Sequence, residues 1–315
     1  MAEHKNLDGT TIHFQPSTFE QSWDFHTYGT KMTYGESETV AARILGRRFV
    51  DSTMTMIDPD YQGSISDYSA TLIQLGKKNA IYKVDVDPYS FVLVMSKGSP
   101  KLKDELETEF KNLRGLRRLL REKHLPVFVP QSYVLGGYKG VSGFSFEYLP
   151  EHLELRYVFA GAEDRTYSFF AMNAVGEKAD LFNSRFYTPL LENTMSSAEI
   201  DRPDSPHYRI KTELIARLYI MHRLTGCIPA EFSVNAGDFM ADPDKDNFDL
   251  RLITVRGGWR KNNSLADWLY NQSSEPAQMT VVGTNVAIDC PVFNKDRNII
   301  AAGLQRGKEM FNSVS

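Results

Sequence analysis

Three short segments between residues 66 and 97 alternate in side-chain character with a period of two, and this run constrains the fold more than any other feature. The segments SATLIQL, NAIYKVDV and SFVLVMS are rich in the β-branched and aromatic residues that favour strands. Turn-forming residues separate them, first Gly76-Lys77-Lys78-Asn79 and then Asp87-Pro88-Tyr89. The run predicts a three-stranded antiparallel meander, whose apolar face must pack against another element.

A long amphipathic helix is predicted directly after this meander. Leucine and phenylalanine recur at three- and four-residue steps from Leu102 to Leu120, with lysine, arginine and glutamate between them. The helix should end before Leu125-Pro126, because the residue before a proline avoids the helical conformation. Two further strands follow in QSYVLGG and GFSFEY. The order of three strands, one helix and two strands indicates the α+β class.

The segment before the meander is predicted to be a packed extension rather than a free tail. It is rich in aromatic residues and contains SETVAARILGRRF, whose apolar residues lie on one helical face. Ser37 is predicted to cap this helix, because serine is a favoured residue at that position.

The segment after the strands is predicted to be mainly helical. Residues 151–206 form an aromatic-rich insert, with helical fragments predicted in HLELRYVFAG and NSRFYTPLLEN. Next come a strong helix over 208–224, closed by Gly226, and a hairpin between FMAD and LRLITV. A last helix is predicted over 296–312. The predicted domains are an extension at 1–60, an N-lobe at 61–150 and a C-lobe at 151–315.

Composition narrows the range of functions. The chain is 42% hydrophobic and 24% charged, with a formal net charge of −4. This balance is typical of a folded globular protein, and it offers no basic field for nucleic acid. Only two cysteines are present, and the seven histidines show no paired ligand spacing, so no metal site is predicted. Without an apolar leader at residues 1–15 or a membrane-length apolar run, we expect a cytoplasmic protein with no membrane contact.

The order of elements resembles the kinase fold, in particular the aminoglycoside-phosphotransferase-like branch of small-molecule kinases. The matching text runs over roughly residues 66–260 and includes LGKKNAIYKVDVDPYSFVLVMSKG, ELETEFKNLRGLRRL, FSFEYLP and ELIARLYIMHRLTG. The resemblance implies that these are the phosphate-covering hairpin with the lysine strand, the glutamate helix, the inter-lobe hinge and the helix before the catalytic loop. The loop and its metal-binding hairpin would be NAGDFMAD and FDLRLITV.

The resemblance also implies a lysine that holds phosphates and a glutamate that orients it. Glu109 lies where the family has this glutamate, although it could equally belong to a solvated helix face. In FVLVMSK the lysine is expected near Val94, whereas the first lysine is Lys97, three residues later. Three residues along a strand place a side chain on the opposite face, which favours a surface lysine at Lys97.

The predicted catalytic loop departs furthest from the family. One alignment puts Asp238 at the metal-binding asparagine and Ser233 at the proton acceptor, a role that needs a carboxylate. A shifted alignment makes Asp238 the base, and the following asparagine is then missing. The metal aspartate falls on Thr254 or on the nearby Arg256, whose guanidinium could pair with an anion directly or with a neighbouring aspartate.

The sequence therefore predicts a bilobal kinase-like α+β fold, with a five-stranded antiparallel N-lobe carrying one helix and a mainly helical C-lobe. A ligand is expected where the lobes meet, between the hinge 147–150 and the loop 233–238. The residues expected to contact a cofactor or ligand are Gly76, Asn79, Lys97, Glu109, Glu147 and Leu149. The residues expected at the reacting centre are Asp238, Ser233 and Arg256.

Three functions remain open at this point. The first is a degenerate kinase-fold protein that binds a small molecule or nucleotide and acts as a scaffold for a protein partner, or as an enzyme of another reaction class. The second is an atypical ATP-dependent phosphotransferase, with ATP and magnesium as its cofactors. The third is an unrelated α+β binding protein. Only the second requires a cofactor.

Overall fold

The computed structural model describes most of the chain and divides it into two compact units. The described residues are 2–16, 34–63, 65–75, 79–96, 98–162, 165–172, 202–229, 239–242, 244–245, 248–255, 258–270, 277–281, 284–288 and 297–313. The first unit comprises Met1–Arg114 and Pro130–Pro150, and the second comprises Gly115–Val129 and Glu151–Ser315. Along the described part of the chain, no helix has the length and apolar character needed to span a bilayer.

A seven-stranded mixed sheet forms the first unit. Its strand order is β1-β2-β3-β4-β5-β7-β6, with β2 and β3 parallel and every other pair antiparallel. The strands are β1 (Ala2–Lys5), β2 (Thr11–Gln15), β3 (Asp67–Leu75), β4 (Asn79–Val86), β5 (Tyr89–Ser96), β6 (Ser132–Tyr138) and β7 (Val141–Glu147). The predicted meander is β3-β4-β5, and the two later strands are β7 and β6. The α+β class and the five-stranded antiparallel arrangement are thus confirmed.

Helices cover both faces of this sheet. Helices α1 (Tyr34–Ile44) and α2 (Arg47–Ile57) share one buried core with alternate residues of β4 and β5. Helix α3 (Pro100–Glu122), which connects β5 to β6 in the chain, packs on the other face. There the rings of Phe110 and Phe144 lie 5.5 Å apart between centroids. We call this second side the α3 face.

The N-terminal helix differs from its prediction in two respects. The predicted helix is divided at Gly46, whose backbone is extended, and Arg47 begins a separate helix. Its first amide is capped from outside, because the Arg47 backbone N–H donates to Asp8 Oδ2 at 2.7 Å. Ser37 was predicted to cap the helix, but it lies inside α1, where its hydroxyl hydrogen-bonds the buried Tyr82 hydroxyl. A tertiary contact therefore determines the role of Ser37 here.

The second unit contains three further helices and eight short strands in its described part. The helices are α4 (Pro206–Thr225), α5 (Leu265–Tyr270) and α6 (Arg297–Asn312). The strands are β8 (Leu153–Ala162), β9 (Arg165–Met172), β10 (Cys227–Pro229), β11 (Phe239–Ala241), β12 (Arg251–Leu252), β13 (Trp259–Lys261), β14 (Ala277–Val281) and β15 (Thr284–Ile288). Ser205 Oγ accepts from the Tyr208 N–H at 3.1 Å, and Gly226 ends α4 at φ 68°. These caps explain the bounds of α4, and the predicted helices over 208–224 and 296–312 are both confirmed.

One predicted helical fragment is wrong. The segment HLELRYVFAG belongs mainly to strand β8, which pairs with β9 and, at its start, with β11. Its Tyr157-Val158-Phe159 run has the aromatic and β-branched residues that strands favour, and its two leucines, Leu153 and Leu155, also have the two-residue spacing of a strand. The hairpin of β11 and β12 is confirmed, with Phe239 opposite Leu252. The fragment NSRFYTPLLEN lies outside the described residues.

Candidate functional site

Of the described residues that were predicted to contact a ligand, Asn79 lies on the α3 face and Glu109 belongs to α3 itself, whereas Glu147 aligns with Phe91 on the opposite face of the sheet. In the β4–β5–β7 ladder, Ile81 lies opposite Val94, and Val94 lies opposite Phe144. Two residues further along β4, Lys83 lies opposite Val92. Because side chains alternate across a sheet, the odd residues of β4 share the α3 face with the even residues of β5 and β7.

Val94 occupies the position where the resemblance places the phosphate-binding lysine. It is half-buried on the α3 face and aligned with Phe144, which contacts α3. An isopropyl group there offers neither charge nor a hydrogen-bond donor to a phosphate. Lys97, the nearest lysine in sequence, and Gly76 of the preceding hairpin lie outside the described residues.

Glu109 and Asn79 occupy different parts of this face. Glu109 is half-buried in α3, and two residues of helix turn it about 200° away from Glu107. Glu107 Oε1 accepts a hydrogen bond from Ser142 Oγ of β7 at 2.7 Å, so Glu109 lies on the other flank of the helix. Asn79 is half-buried at the start of β4, opposite Ser96. The structure thus places a carboxylate and an amide on this side of the unit, with Val94 on the same face of the sheet.

The predicted hinge segment follows β7. Glu147 Oε2 accepts from the Gln131 N–H at 2.8 Å, and the Glu147 N–H donates to the Gln131 carbonyl at 2.8 Å. This double contact ties the end of β7 to the start of β6. Tyr148 and Leu149 are half-buried beyond it. Glu147 therefore positions the segment, while the next two side chains are available to contact a ligand.

A charged pair on β4 was missed by the sequence reasoning. Lys83 Nζ lies 2.8 Å from Asp85 Oδ1 and 5.0 Å from the centre of the Tyr148 ring. Ser90 Oγ also donates to Asp85 Oδ1, at 2.6 Å. The hydrogen bond that Lys83 donates to Asp85 is the main reason that the pKa of Lys83 is raised, so its ammonium stays charged. The available signal was the alternation in NAIYKVDV, which puts Ile81, Lys83 and Asp85 on one face.

All three residues predicted at the reacting centre, Ser233, Asp238 and Arg256, lie outside the described residues. Thr254, at the position expected for a metal aspartate, is 8% exposed. Its hydroxyl has one donor and no formal charge, so it is a poor replacement for a carboxylate ligand of magnesium. In the described ranges no group of three or more acidic, histidine or cysteine side chains could hold a metal.

Asp249 belongs to a separate polar cluster in the second unit. Its Oδ2 lies 2.8 Å from Arg251 Nη2 and 3.2 Å from His152 Nε2. Burial alone would raise the pKa of Asp249, but the hydrogen bonds and charges of Arg251 and His152 outweigh it, and the pKa is lowered. Arg251 Nη1 also donates to the Val127 carbonyl at 3.0 Å. This cluster fixes the β11–β12 hairpin against the 115–129 segment of the same unit.

An open groove of about 380 Å³ lies at the β6 edge of the first unit's sheet, between α3 and the β6–β7 turn. Lys103 and Glu107 line it and pair with each other at 3.8 Å. Lys139, at the turn, lies 5.5 Å from the centre of the Tyr138 ring. Lys139 thus lies beside a tyrosine ring, as Lys83 does, but on the β6–β7 hairpin.

No protein-family model and no curated protein sequence matches the chain. Among solved structures, the pseudokinase domain of BIR2, an immune regulator of the RLK/Pelle family, is 11% identical with a TM-score of 0.35, over 91% of this chain and 92% of its own. A protein assigned as a fructosamine-3-kinase from Haemophilus somnus 129PT is 11% identical with a TM-score of 0.31, over 84% and 86%. A microcompartment-associated aminopropanol kinase is 15% identical with a TM-score of 0.31, over 83% and 91%.

Scores this low carry no inference about activity or ligand. The kinase-like character of the first unit rests instead on its own topology. The order β3-β4-β5-β7-β6, with α3 inserted between β5 and β6, is the arrangement that the resemblance implies for the N-lobe.

Proposed function

We propose that this chain is a degenerate kinase-fold protein, which binds a small molecule on the α3 face beside residues 147–150 and does not transfer phosphate. The observation that carries the proposal is Val94, a half-buried valine at the position of the phosphate-binding lysine. Ligand binding is supported by the half-buried polar and aromatic side chains that share this side of the unit, among them Lys83, Asp85 and Tyr148.

A valine at position 94 matters because phosphoryl transfer depends on a positive charge at that position. Enzymes of this class work by positioning the nucleotide and neutralising charge, with a lysine, a base and metal-binding carboxylates as separate parts. Replacement of the lysine by valine removes one part, and a buried threonine at position 254 removes another. Loss of these two parts should reduce the rate of phosphate transfer far more than it reduces ligand affinity, because electrostatic stabilisation of the transition state is the larger contribution to rate.

A thermal-shift titration tests the proposal. Full-length protein is heated with millimolar ATP, with and without magnesium, and in parallel with a panel of small molecules and nucleosides. A ligand that binds only the folded state raises its stability by about 2.7 kcal/mol at a hundredfold excess over Kd. We expect no magnesium-dependent shift with ATP, and a shift with at least one uncharged or zwitterionic compound.

A magnesium-dependent shift with ATP, followed by ATP turnover that is lost in Asp238→Asn, would overturn the proposal. It would support the alternative of an active phosphotransferase that uses Asp238, Glu109 and Lys97. The asparagine variant keeps the size of the side chain and removes its proton-accepting carboxylate, so turnover that survives it would exclude Asp238 as the base. If no compound in the panel shifts the melting temperature, ligand binding itself is refuted.

A further inference from the structure

We infer that the ligand is a zwitterion of the apolar α-amino acid class, whose carboxylate pairs with Lys83 and whose ammonium pairs with Asp85. This inference rests on the proposed function and specifies the ligand of the same face. It is carried by the juxtaposition of one cation and one anion beside an apolar strip on β4 and β5.

The two charges are only partly satisfied by each other. Lys83 uses one of the three N–H donors of its ammonium group on Asp85 Oδ1, at 2.8 Å. Asp85 Oδ1 accepts from both Lys83 and Ser90, and among the described residues this leaves Oδ2 to accept from a ligand. The side chains are 29% and 36% exposed, so both can reach a molecule that arrives from solvent.

Charge balance selects a zwitterion over a simple ion. A ligand that carries only a carboxylate would be attracted by Lys83 and repelled by Asp85. A simple amine would be attracted by Asp85 and repelled by Lys83. The ammonium and carboxylate of an α-amino acid lie about 3 Å apart across one carbon. That spacing matches the 2.8 Å between Lys83 Nζ and Asp85 Oδ1. The four charges can therefore alternate in sign, and none is left unpaired.

The surface next to the pair is apolar on its β5 side, where Val92 lies opposite Lys83. Ile81 lies two residues from Lys83 on the same face of β4, and its cross-strand partner is Val94. Both side chains are half-buried, so an apolar ligand side chain laid over them would remove further surface from water. Val94, which disables phosphate binding, thus provides part of the contact for this ligand.

The position of the pair disfavours a nucleotide. Lys83 is four residues from Asn79, about 13 Å along the strand. A nucleotide with its phosphates under the 76–79 turn would place its neutral base near Lys83. The ammonium already lies 5.0 Å from the Tyr148 ring centre, where it hinders a flat base from stacking on that face of the ring.

Isothermal titration with three related probes tests the inference. The probes are L-phenylalanine, its amide, which is only a cation, and N-acetyl-L-phenylalanine, which is only an anion. Each is titrated into the wild type, Lys83→Gln, Asp85→Asn and the double variant that removes both charges. Lys139→Asn is the matched control, because Lys139 also lies beside a tyrosine ring, and asparagine tolerates its φ of 46°.

We expect the wild type and Lys139→Asn to bind L-phenylalanine at least about tenfold more tightly than either derivative, which corresponds to one charge-assisted hydrogen bond. In Lys83→Gln the preference over the amide should disappear, because the carboxylate has lost its partner, and in Asp85→Asn the preference over N-acetyl-L-phenylalanine should disappear, because the ammonium has lost its partner. The double variant should show neither preference. Equal binding of all three probes by the wild type, or a preference over the amide that survives Lys83→Gln, would overturn the inference.

The two proposals can fail separately. If adenosine or another non-zwitterionic compound binds the wild type and no amino-acid probe does, the inference is wrong and the proposed function stands. If no compound of any class binds, both are wrong. The melting temperatures of the variants provide the folding control, and the exposed pair should contribute less than about tenfold to the folding equilibrium.

Discussion

Arg217 Nη1 lies 2.6 Å from Glu213 Oε2, one turn apart on α4, and the two side chains are only 9% and 5% exposed. Arg306 of α6 contacts the second carboxylate oxygen, Glu213 Oε1. The guanidinium of Arg217 also lies 5.6 Å from the centre of the Phe128 ring. One carboxylate thus pairs with an arginine of its own helix and, through Arg306, connects α4 to α6.

Removal of this carboxylate should be costly. Glu213→Gln leaves the buried Arg217 without its counter-ion, and breaking such a pair from one side destabilises a protein by about 3–5 kcal/mol. Urea unfolding followed by far-UV circular dichroism gives the measurement. Glu122→Gln is the control, because Glu122 forms the same i,i+4 pair with Arg118, at 58% and 74% exposure. That variant should change stability by less than about 1 kcal/mol. Similar losses in both variants would contradict the prediction.

The crossing of α4 and α6 depends on two glycines. A Cβ on Gly303 would lie 2.6 Å from Ile215 Cβ, and one on Gly307 would lie 2.7 Å from Tyr219 Cβ. Gly303→Ala should therefore push the helices apart and destabilise the protein by about 1–3 kcal/mol. Gly115→Ala in α3 should instead stabilise by about 0.5–1 kcal/mol, because a Cβ there has no neighbour within 4 Å. Opposite shifts in melting temperature are expected, and a stable Gly303→Ala variant would refute the close approach.

The buried hydrogen bond between Ser37 and Tyr82 should couple the N-terminal helices to the sheet. The side chain of Ser37 is 2% exposed and Tyr82 is fully buried, and burial raises the pKa of this phenol. Ser37→Ala leaves the phenol unpaired and should cost about 1–3 kcal/mol. Adding Tyr82→Phe should recover part of that loss, since the orphaned hydroxyl is then removed. A double-mutant cycle on urea midpoints measures the coupling, and strictly additive losses would show that the two groups act independently.

Acid stability should depend on Asp249. Its pKa is lowered in the folded state, so its stabilisation is present above the usual value of 3.8 and is lost as pH falls through the lowered pKa. Asp249→Asn should flatten the fall in melting temperature between about pH 5 and pH 2. The effect should stay below about 1 kcal/mol, because the side chain is 37% exposed to solvent.

Asp204 provides the control for this titration. Its pKa is also lowered, by its hydrogen bond to Arg202, but the pair lies at the surface, with side chains 68% and 60% exposed. Asp204→Asn should leave the acid limb of the melting profile unchanged. If it flattens that limb as much as Asp249→Asn does, the Arg251–His152 cluster is not the source of the acid sensitivity.

The central part of the fold was predictable because its local signals agree. Alternation defined β3, β4 and β5, while the Leu102–Leu120 spacing defined α3, and the structure confirms both. The caps of α4 were visible as well, since Gly226 directly follows the last apolar turn. Where the period and the terminating residues agree, sequence reasoning locates an element to within a few residues.

The remaining features depend on contacts between distant parts of the chain. Ser37 is a good capping residue by composition, but its partner is Tyr82, 45 positions away. The contact between Lys83 and Tyr148 could not be seen from the sequence of β4, because Tyr148 follows α3 and β7 in the chain. The segment of strand β8 was predicted as a helical fragment, whereas its strand conformation depends on pairing with β9.

The glycines of the β6–β7 hairpin have a consequence for synthesis. Gly143 would meet Ile44 within 3.3 Å if it carried a Cβ, and Gly136 would meet Phe49 within 2.8 Å. About 100 residues separate Ile44 from its partner strand. At a translation rate of 5–20 residues per second, α1 and α2 must wait roughly 5–20 s on the ribosome before the β6–β7 part of the surface they cover exists. During that interval their apolar faces are substrates for chaperones, so the yield of this protein in cells should depend on how well a nascent N-terminus is protected.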